Sequence, residues 1–295
     1  MAEEGQAWVV TVMGAGTQEA LRPFRGGDRL AVLDLIGADL LPGRPYPTDA
    51  MLDLAVQEAV PGGRRAPGGL EGVRTEVLAS AGGQVLGVVC WAVRSSDDAG
   101  MLLWLHCLED EQPLARALVR HVTGRLGRRT VHAFAEPTAL APAGLAVRNR
   151  PGTRRALEEC GFSGTDRWRY LHHRLETRSG RLYAVADLVE CPDAQGWHLR
   201  LRERDGTCIG EAFIAWPVDG TTALEWVRLA PGRYRLGHVL LEQCLDHLAD
   251  RGVREVTAHL AAPGEDRPYL DAALELHTAA GFTEIDQLHT YTRRP

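Results

Sequence analysis

Residues 224–252 read LEWVRLAPGRYRLGHVLLEQCLDHLADRG. Ala223 to Leu229 patterns as a strand, Pro231 and Gly232 break it, and Gly237 to Ala249 reads as a helix opened by glycine. A strand passing through a short glycine loop into a helix presents orphan N–H groups and the positive end of the helix dipole, which together suit an anion. The start of this stretch also occurs earlier in the chain, where Leu102-Leu-Trp104-Leu-His-Cys107 parallels Leu224-Glu-Trp226-Val-Arg-Leu229.

Working outward, three more collinear echoes appear at spacings of about 120–126 residues. Gly83-Gln-Val-Leu-Gly87 parallels Gly206-Thr-Cys-Ile-Gly210, Arg128 to Ala135 parallels Arg254 to Ala261, and Ala156 to Phe162 parallels Ala273 to Phe282, both ending in Gly-Phe. Four matches in order predict two copies of one fold, joined near Glu176 to Gly180: an N-terminal domain over 1–176 and a C-terminal domain over 181–295. In the first copy, strands are expected at Thr75–Ser80, Val85–Arg94, Met101–Leu108, Thr130–Ala135 and Trp168–Leu175. A helix from Pro113 is closed by Gly127, and another spans Gly152–Cys160. The second copy repeats the order, with strands at His198–Arg204, Thr207–Ala215, Ala223–Leu229, Glu255–Ala261 and Leu288–Thr292, and helices at Gly237–Ala249 and Leu270–Ala280. Two amphipathic helices, Asp28–Leu41 and Asp49–Val60, precede the first hairpin around the loop Pro42-Gly-Arg-Pro-Tyr-Pro-Thr48, whereas the second copy has only Cys191 to Gly196 there.

Composition excludes several chemistries. All 33 Lys+Arg residues are arginine. Without lysine there is no pyridoxal-phosphate Schiff base, no lysine nucleophile and no GxxxxGK[ST] phosphate loop. A net charge of -6, with arginines interleaved among carboxylates, argues against a nucleic-acid partner. The six cysteines form no CxxC pair and read as small buried hydrophobes of a reducing compartment, and no apolar run approaches about 18 residues. These observations lead us to expect a cytoplasmic protein without a membrane partner or metal. The adjacent His172 and His173 point to opposite faces of a strand, which disfavours a shared metal.

Strand hairpin, strand, glycine-opened helix, strand, helix ending in Gly-Phe and final strand: this order resembles the GCN5-related N-acetyltransferase (GNAT) family, over roughly residues 20–175 and 182–294. The resemblance implies an α/β (α+β) fold of two tandem GNAT-like domains, each a mixed, mostly antiparallel sheet flanked by helices. It also implies acetyl-CoA, or another acyl-CoA, as cosubstrate and a small-molecule amine as acceptor. The family loop Arg/Gln-x-x-Gly-x-Gly/Ala is altered here to Gly232-Arg-Tyr-Arg-Leu-Gly237-His, about two residues short, with Arg233 and Arg235 available for direct phosphate contacts. Val227, Arg228, Leu229, Arg233, Arg235, Leu236, Gly237 and His238 are the implied coenzyme-binding residues. In the first copy the same loop is Leu108-Glu-Asp-Glu-Gln-Pro-Leu114, whose carboxylates repel a diphosphate, so no coenzyme is expected there.

By the same resemblance, Glu225 is the implied general base, and backbone amides of Val227 to Leu229 hold the acyl oxygen. His277 stands where the family keeps an acid tyrosine, four residues before Gly281, with Tyr269 and Tyr291 as substitutes. Small-molecule N-acyl transfer, on an antibiotic or other natural-product intermediate, is therefore the first expectation. A non-catalytic binding protein, or transfer from a carrier-protein or aminoacyl-tRNA donor, are the alternatives. Because the second copy lacks the paired helices, the acceptor is expected between the copies, touched by the Pro42–Thr48 loop or by the last strand of the first copy.

Overall fold

The computed structural model describes residues 8–10, 19–57, 69–175, 186–230, 236–261 and 267–295, with backbone only for 8–10, 57 and 267–269. The first copy runs β1 (Trp8–Val10), β2 (Glu19–Pro23), α1 (Arg29–Ala38), α2 (Asp49–Gln57), β3 (Leu70–Ala79), β4 (Val85–Arg94) and β5 (Ala99–Cys107). It continues through α3 (Gln112–Leu126), β6 (Val131–Ala133), β7 (Leu145–Ala146), α4 (Pro151–Glu159) and β8 (Ser163–Arg174). The second copy runs β9 (Ala186–Cys191), β10 (Gly196–Arg202), β11 (Cys208–Ala215), β12 (Thr221–Leu229), α5 (Gly237–Ala249), β13 (Glu255–Ala261), α6 (Arg267–Ala279) and β14 (Thr283–Arg293). Every helix and strand after the paired helices except β7 thus has its counterpart among the described residues, and a 3-10 turn, Pro192–Ala194, stands where the first copy has α1 and α2. The expected helix to Leu41 stops instead at Ala38. Pro42 cannot continue it, and the chain turns with Arg44 N–H donating to Leu41 O.

The strands divide differently from the sequence repeat. The compact units are residues 1–40, 46–167 and 288–295 on the one hand, and 41–45 with 168–287 on the other. In the second unit β8 runs antiparallel to β13, from Trp168 opposite Ala261 to Arg174 opposite Glu255. In the first unit the end of β14 pairs with β7 and β6, Leu288 opposite Ala146 and Tyr291 opposite Ala133. Each copy therefore gives its last strand to the unit built mainly from the other, where the sequence reading placed a simple boundary at Glu176–Gly180. Hydrophobic patterning marks a segment as a strand but does not name its partner, because the pairing is non-local.

The first unit's sheet has the order β1-β2-β3-β4-β5-β6-β14, the second unit's β8-β13-β12-β11-β10-β9. Within each unit the neighbouring strands are antiparallel except β5 with β6 and β12 with β13. Both faces of the first sheet are covered. Val88, Cys90 and Ala92 of β4 pack with Val32, Ile36 and Leu52 of α1 and α2, while Val89 and Trp91 pack with Leu118, Val122 and other residues of α3. In the second unit Leu199, Ala212, Ile214, Leu224 and Val256 meet Leu240, Leu241, Cys244 and Leu248 of α5. The alternate residues on the other face of β10, β11 and β12, among them His198, Glu211 and Phe213, stay half-buried.

Candidate active site

The parallel strands of each unit part company half-way. In the second unit β12 and β13 pair from Thr221/Glu255 to Leu224/Ala258 only, after which β12 continues along β11 and β13 along β8. Glu225 and His259 are the first residues beyond the last parallel pair. A β-bulge marks the same point, since Phe213 faces Trp226 and Ile214 faces Leu224, leaving Glu225 as the extra residue. Ala230 N–H donates to Ile209 O of β11. By the alternation of antiparallel pairing, Val227 and Leu229 turn their N–H groups the other way, into the opening left by β13. The first unit opens in the same manner after Leu102/Ala133, with a bulge at Leu103.

Beyond the opening, the two helix starts differ in charge. In the first unit Glu109 and Asp110 precede α3 with φ of 51° and 49°. The Asp110 carboxylate accepts the Gly152 and Thr153 N–H groups at the start of α4. It lies near Arg150, which pairs with Asp39 at 3.1 Å, and Asp39 in turn accepts a 2.6 Å hydrogen bond from His106 Nδ1. Burial opposes ionisation of Asp39, yet Arg150 and His106 hold its carboxyl below the usual range, while burial and Arg150 push His106 down. Asp110 thus caps the start of α4 and adds negative charge immediately ahead of α3. In the second unit the sequence 230–236 ahead of α5 carries no acidic residue; the first turns of α3 and α5 alike have none, and His238 in that of α5 is exposed. Gly237 packs closely: a Cβ at that position would stand 2.8 Å from Leu229 Cδ1 and 2.9 Å from Leu276 Cδ2, so the two leucine side chains would have to shift.

The implied site residues fall into three groups. Glu225, Val227, Arg228, Leu229, Leu236, Gly237 and His238 lie in the second unit between the bulge and the start of α5. Val227 and Leu229 lean on the α5 core, while Arg228 stacks on Trp226 with its guanidinium 4.6 Å from the ring centre. Arg233 and Arg235 lie outside the described residues, as does the side chain of Tyr269. His277 is 3% exposed, and its Nδ1–H donates to Ala273 O at 2.8 Å. Burial lowers its pKa, so the neutral ring has its proton on Nδ1 and a lone pair on Nε2, an acceptor where an acid would need a donor. Tyr291 belongs to the first unit, opposite Ala133 and packed among Leu157 and Phe162, not to the unit of Glu225.

Three residues that sequence reasoning passed over meet at the opening. Residues 41–45 belong to the second unit. Tyr170 Oη donates to Pro42 O at 2.7 Å, and the Tyr170 ring lies edge-on to His259 at 5.2 Å. Burial, aided by the Arg44 charge, brings His259 down to about 4, and its Nε2 is buried without a hydrogen-bond partner. Burial also lowers Arg44, opposed by the nearby Tyr170 and Glu225. The only local signal was the stiff Pro-Gly-Arg-Pro stretch, since the partners are more than a hundred residues away. His172 turns to Glu255 while His173 donates to Gly281 O, and among the described residues no group of His, Cys, Asp and Glu is arranged to hold a metal.

No family model matches the sequence, and no curated protein matches it. Solved structures do. A GCN5-related N-acetyltransferase from Sphaerobacter thermophilus superposes with a TM-score of 0.61 at 14% identity, over 94% of this chain and 96% of that one. A tandem GNAT protein from the clavulanic acid biosynthesis pathway, solved without AcCoA, gives 0.59 at 16% identity, over 93% and 98%. The fold is that of tandem GCN5-related N-acetyltransferases. A GNAT-family acetyltransferase from Colwellia psychrerythraea covers 93% of this chain and 99% of its own at a TM-score of 0.54 and 10% identity. The GNAT fold thus extends over nearly the whole chain in two domains. Among the described residues no helix is long and apolar enough to cross a membrane.

Proposed function

We propose that the second unit transfers an acyl group, most simply acetyl, from acyl-CoA to the amine of a small molecule. The observation that carries this reading is the parting of β12 and β13 after Leu224/Ala258, which leaves two backbone N–H groups and a carboxylate around one opening. Acyl-CoA supplies an activated thioester carbonyl and a thiolate leaving group. Val227 and Leu229 N–H face the position of the carbonyl oxygen, where charge gathers as the amine attacks. Glu225 takes the proton from the incoming ammonium, directly or through a water. The backbone at Leu236, Gly237 and His238 holds the diphosphate, with no carboxylate in the first turn of α5 to oppose it. Arg228 and, outside the described residues, Arg233 and Arg235 supply cations to the same phosphates. The first unit, with Glu109, Asp110 and Glu111 immediately ahead of α3, holds no coenzyme. The chain works as a cytoplasmic enzyme on a natural-product amine, without nucleic acid, membrane or metal.

Thermal denaturation with acetyl-CoA at about 100 times its dissociation constant should add roughly 2.7 kcal/mol. Glu225→Gln should keep that shift and lower the transfer rate by about 100-fold or more. A second reading, a binding protein without catalysis, is favoured by Gly237, whose missing side chain is explained by Leu229 and Leu276 without any phosphate. An acceptor amine that stabilises the chain while acetyl-CoA does not would select it.

A further inference from the structure

We infer that Arg44, on the connection between α1 and α2, is a positioning residue for Glu225 of the second unit. The inference rests on the acyl-transfer reading. It begins with the turn that carries Arg44. Gly43 has φ +78°, and a Cβ there would stand 2.7 Å from both His172 Cδ2 and Thr257 Cγ2, so only glycine lets the turn settle this closely on β8 and β13. Arg44 N–H closes the turn on Leu41 O, and Tyr170 Oη pins the Pro42 carbonyl. The guanidinium then lies within electrostatic reach of Glu225, Tyr170 and His259, two of which are the first residues past the last parallel pair. The other charged groups on this surface are His172 and Glu255, which engage each other at 3.3 Å.

Glu225 is exposed and sits at a bulge, where nothing in its own strand fixes a rotamer. A half-buried guanidinium, planar and always charged, restricts the carboxylate to the side of the opening from which the amine arrives. The second unit has a 3-10 turn in place of its own α1 and α2, and residues 41–45 supply the cation from elsewhere in the sequence. This gives the first copy a task in the chemistry without a coenzyme of its own.

The test uses the full chain and the variants Arg44→Gln and Arg44→Lys, with acetyl-CoA and a panel of small primary amines as probes. NMR titration of His259, assigned through His259→Gln, reads the placement without any turnover. The midpoint of about 4 should rise in Arg44→Gln, because a nearby cation is lost, and stay low in Arg44→Lys. Transfer should fall about tenfold or more in kcat in Arg44→Gln, with acetyl-CoA affinity unchanged, and recover in part in Arg44→Lys. An unmoved His259 midpoint in a folded Arg44→Gln overturns the placement. A moved midpoint with unchanged kcat overturns the positioning role. A wild-type chain that acylates none of the amines, while the His259 midpoint still moves, overturns the acyl-transfer reading and leaves the placement standing.

Discussion

At the same topological point the two units have taken opposite charges. Before α3, Asp110 is bound to the N–H groups of Gly152 and Thr153 and backed by Arg150, Asp39 and His106. Before α5 there is no acid in the helix's first turn, and the strand leading to it turns its N–H groups into an opening. One repeated fold thus carries in one place a carboxylate cluster neutralised by Arg150 and in the other an opening flanked by Glu225 and the N–H groups of Val227 and Leu229. The faces of the sheets differ in the same sense. The first unit covers both, the second leaves Trp226, Phe213 and His198 half-buried on one. The two copies share the parting of the parallel strands and differ in the side-chain charge beside it.

The comparison breaks most readily at the closed cluster. Arg150→Ala leaves Asp39 ionisable and buried beside His106, and removing one partner of such a pair typically costs about 3–5 kcal/mol. Denaturant unfolding should register that loss, while Glu225-dependent transfer per folded molecule stays the same. If Arg150→Ala abolished acetyl-CoA binding instead, the first unit would be the open one.

Acid should act next most strongly, and in the second unit the residue to watch is His247. Burial and Arg251, which donates to Nδ1, bring it to about 4, against an unfolded value of about 6.5. The unfolded chain then binds the extra proton first, so the stabilisation is complete above pH 6.5 and declines toward pH 4. Urea unfolding across this window should show the decline, and His247→Gln should reduce it, leaving the share of His259. A His247→Gln chain with the full wild-type slope would assign the proton uptake elsewhere.

The smallest effect is expected at His277. Replacement by Gln should alter the transfer rate by less than about tenfold, well short of the loss of a positioned acid. A larger loss would show that its ring gives up a proton during turnover.

The repeat and the elements were legible because glycine-framed hairpins and helix starts are local. β4, buried on both faces, reads VLGVVCWAVR without a break, whereas β11, covered on one, reads CIGEAFIA with Glu211 and Phe213 alternating outward. That contrast already announces the missing helices. Glu225 was named through the family resemblance, but Arg44, Tyr170 and His259 were not, since a turn from residues 41–45 docks on strands more than a hundred residues away. Tyr291 was misplaced for the same reason. Its strand is local, but its partner Ala133 lies in the other copy.

The asymmetry of the two units is tested most directly by calorimetric titration of the full chain with acetyl-CoA, beside His238→Glu. His238 is exposed in the first turn of α5, so the substitution sets a carboxylate beside the helix's free N–H groups, with little cost to the fold. The account expects one molecule bound per wild-type chain and binding weakened at least tenfold, about 1.4 kcal/mol, in the variant. Two equivalent sites, or one site indifferent to His238→Glu, would contradict it.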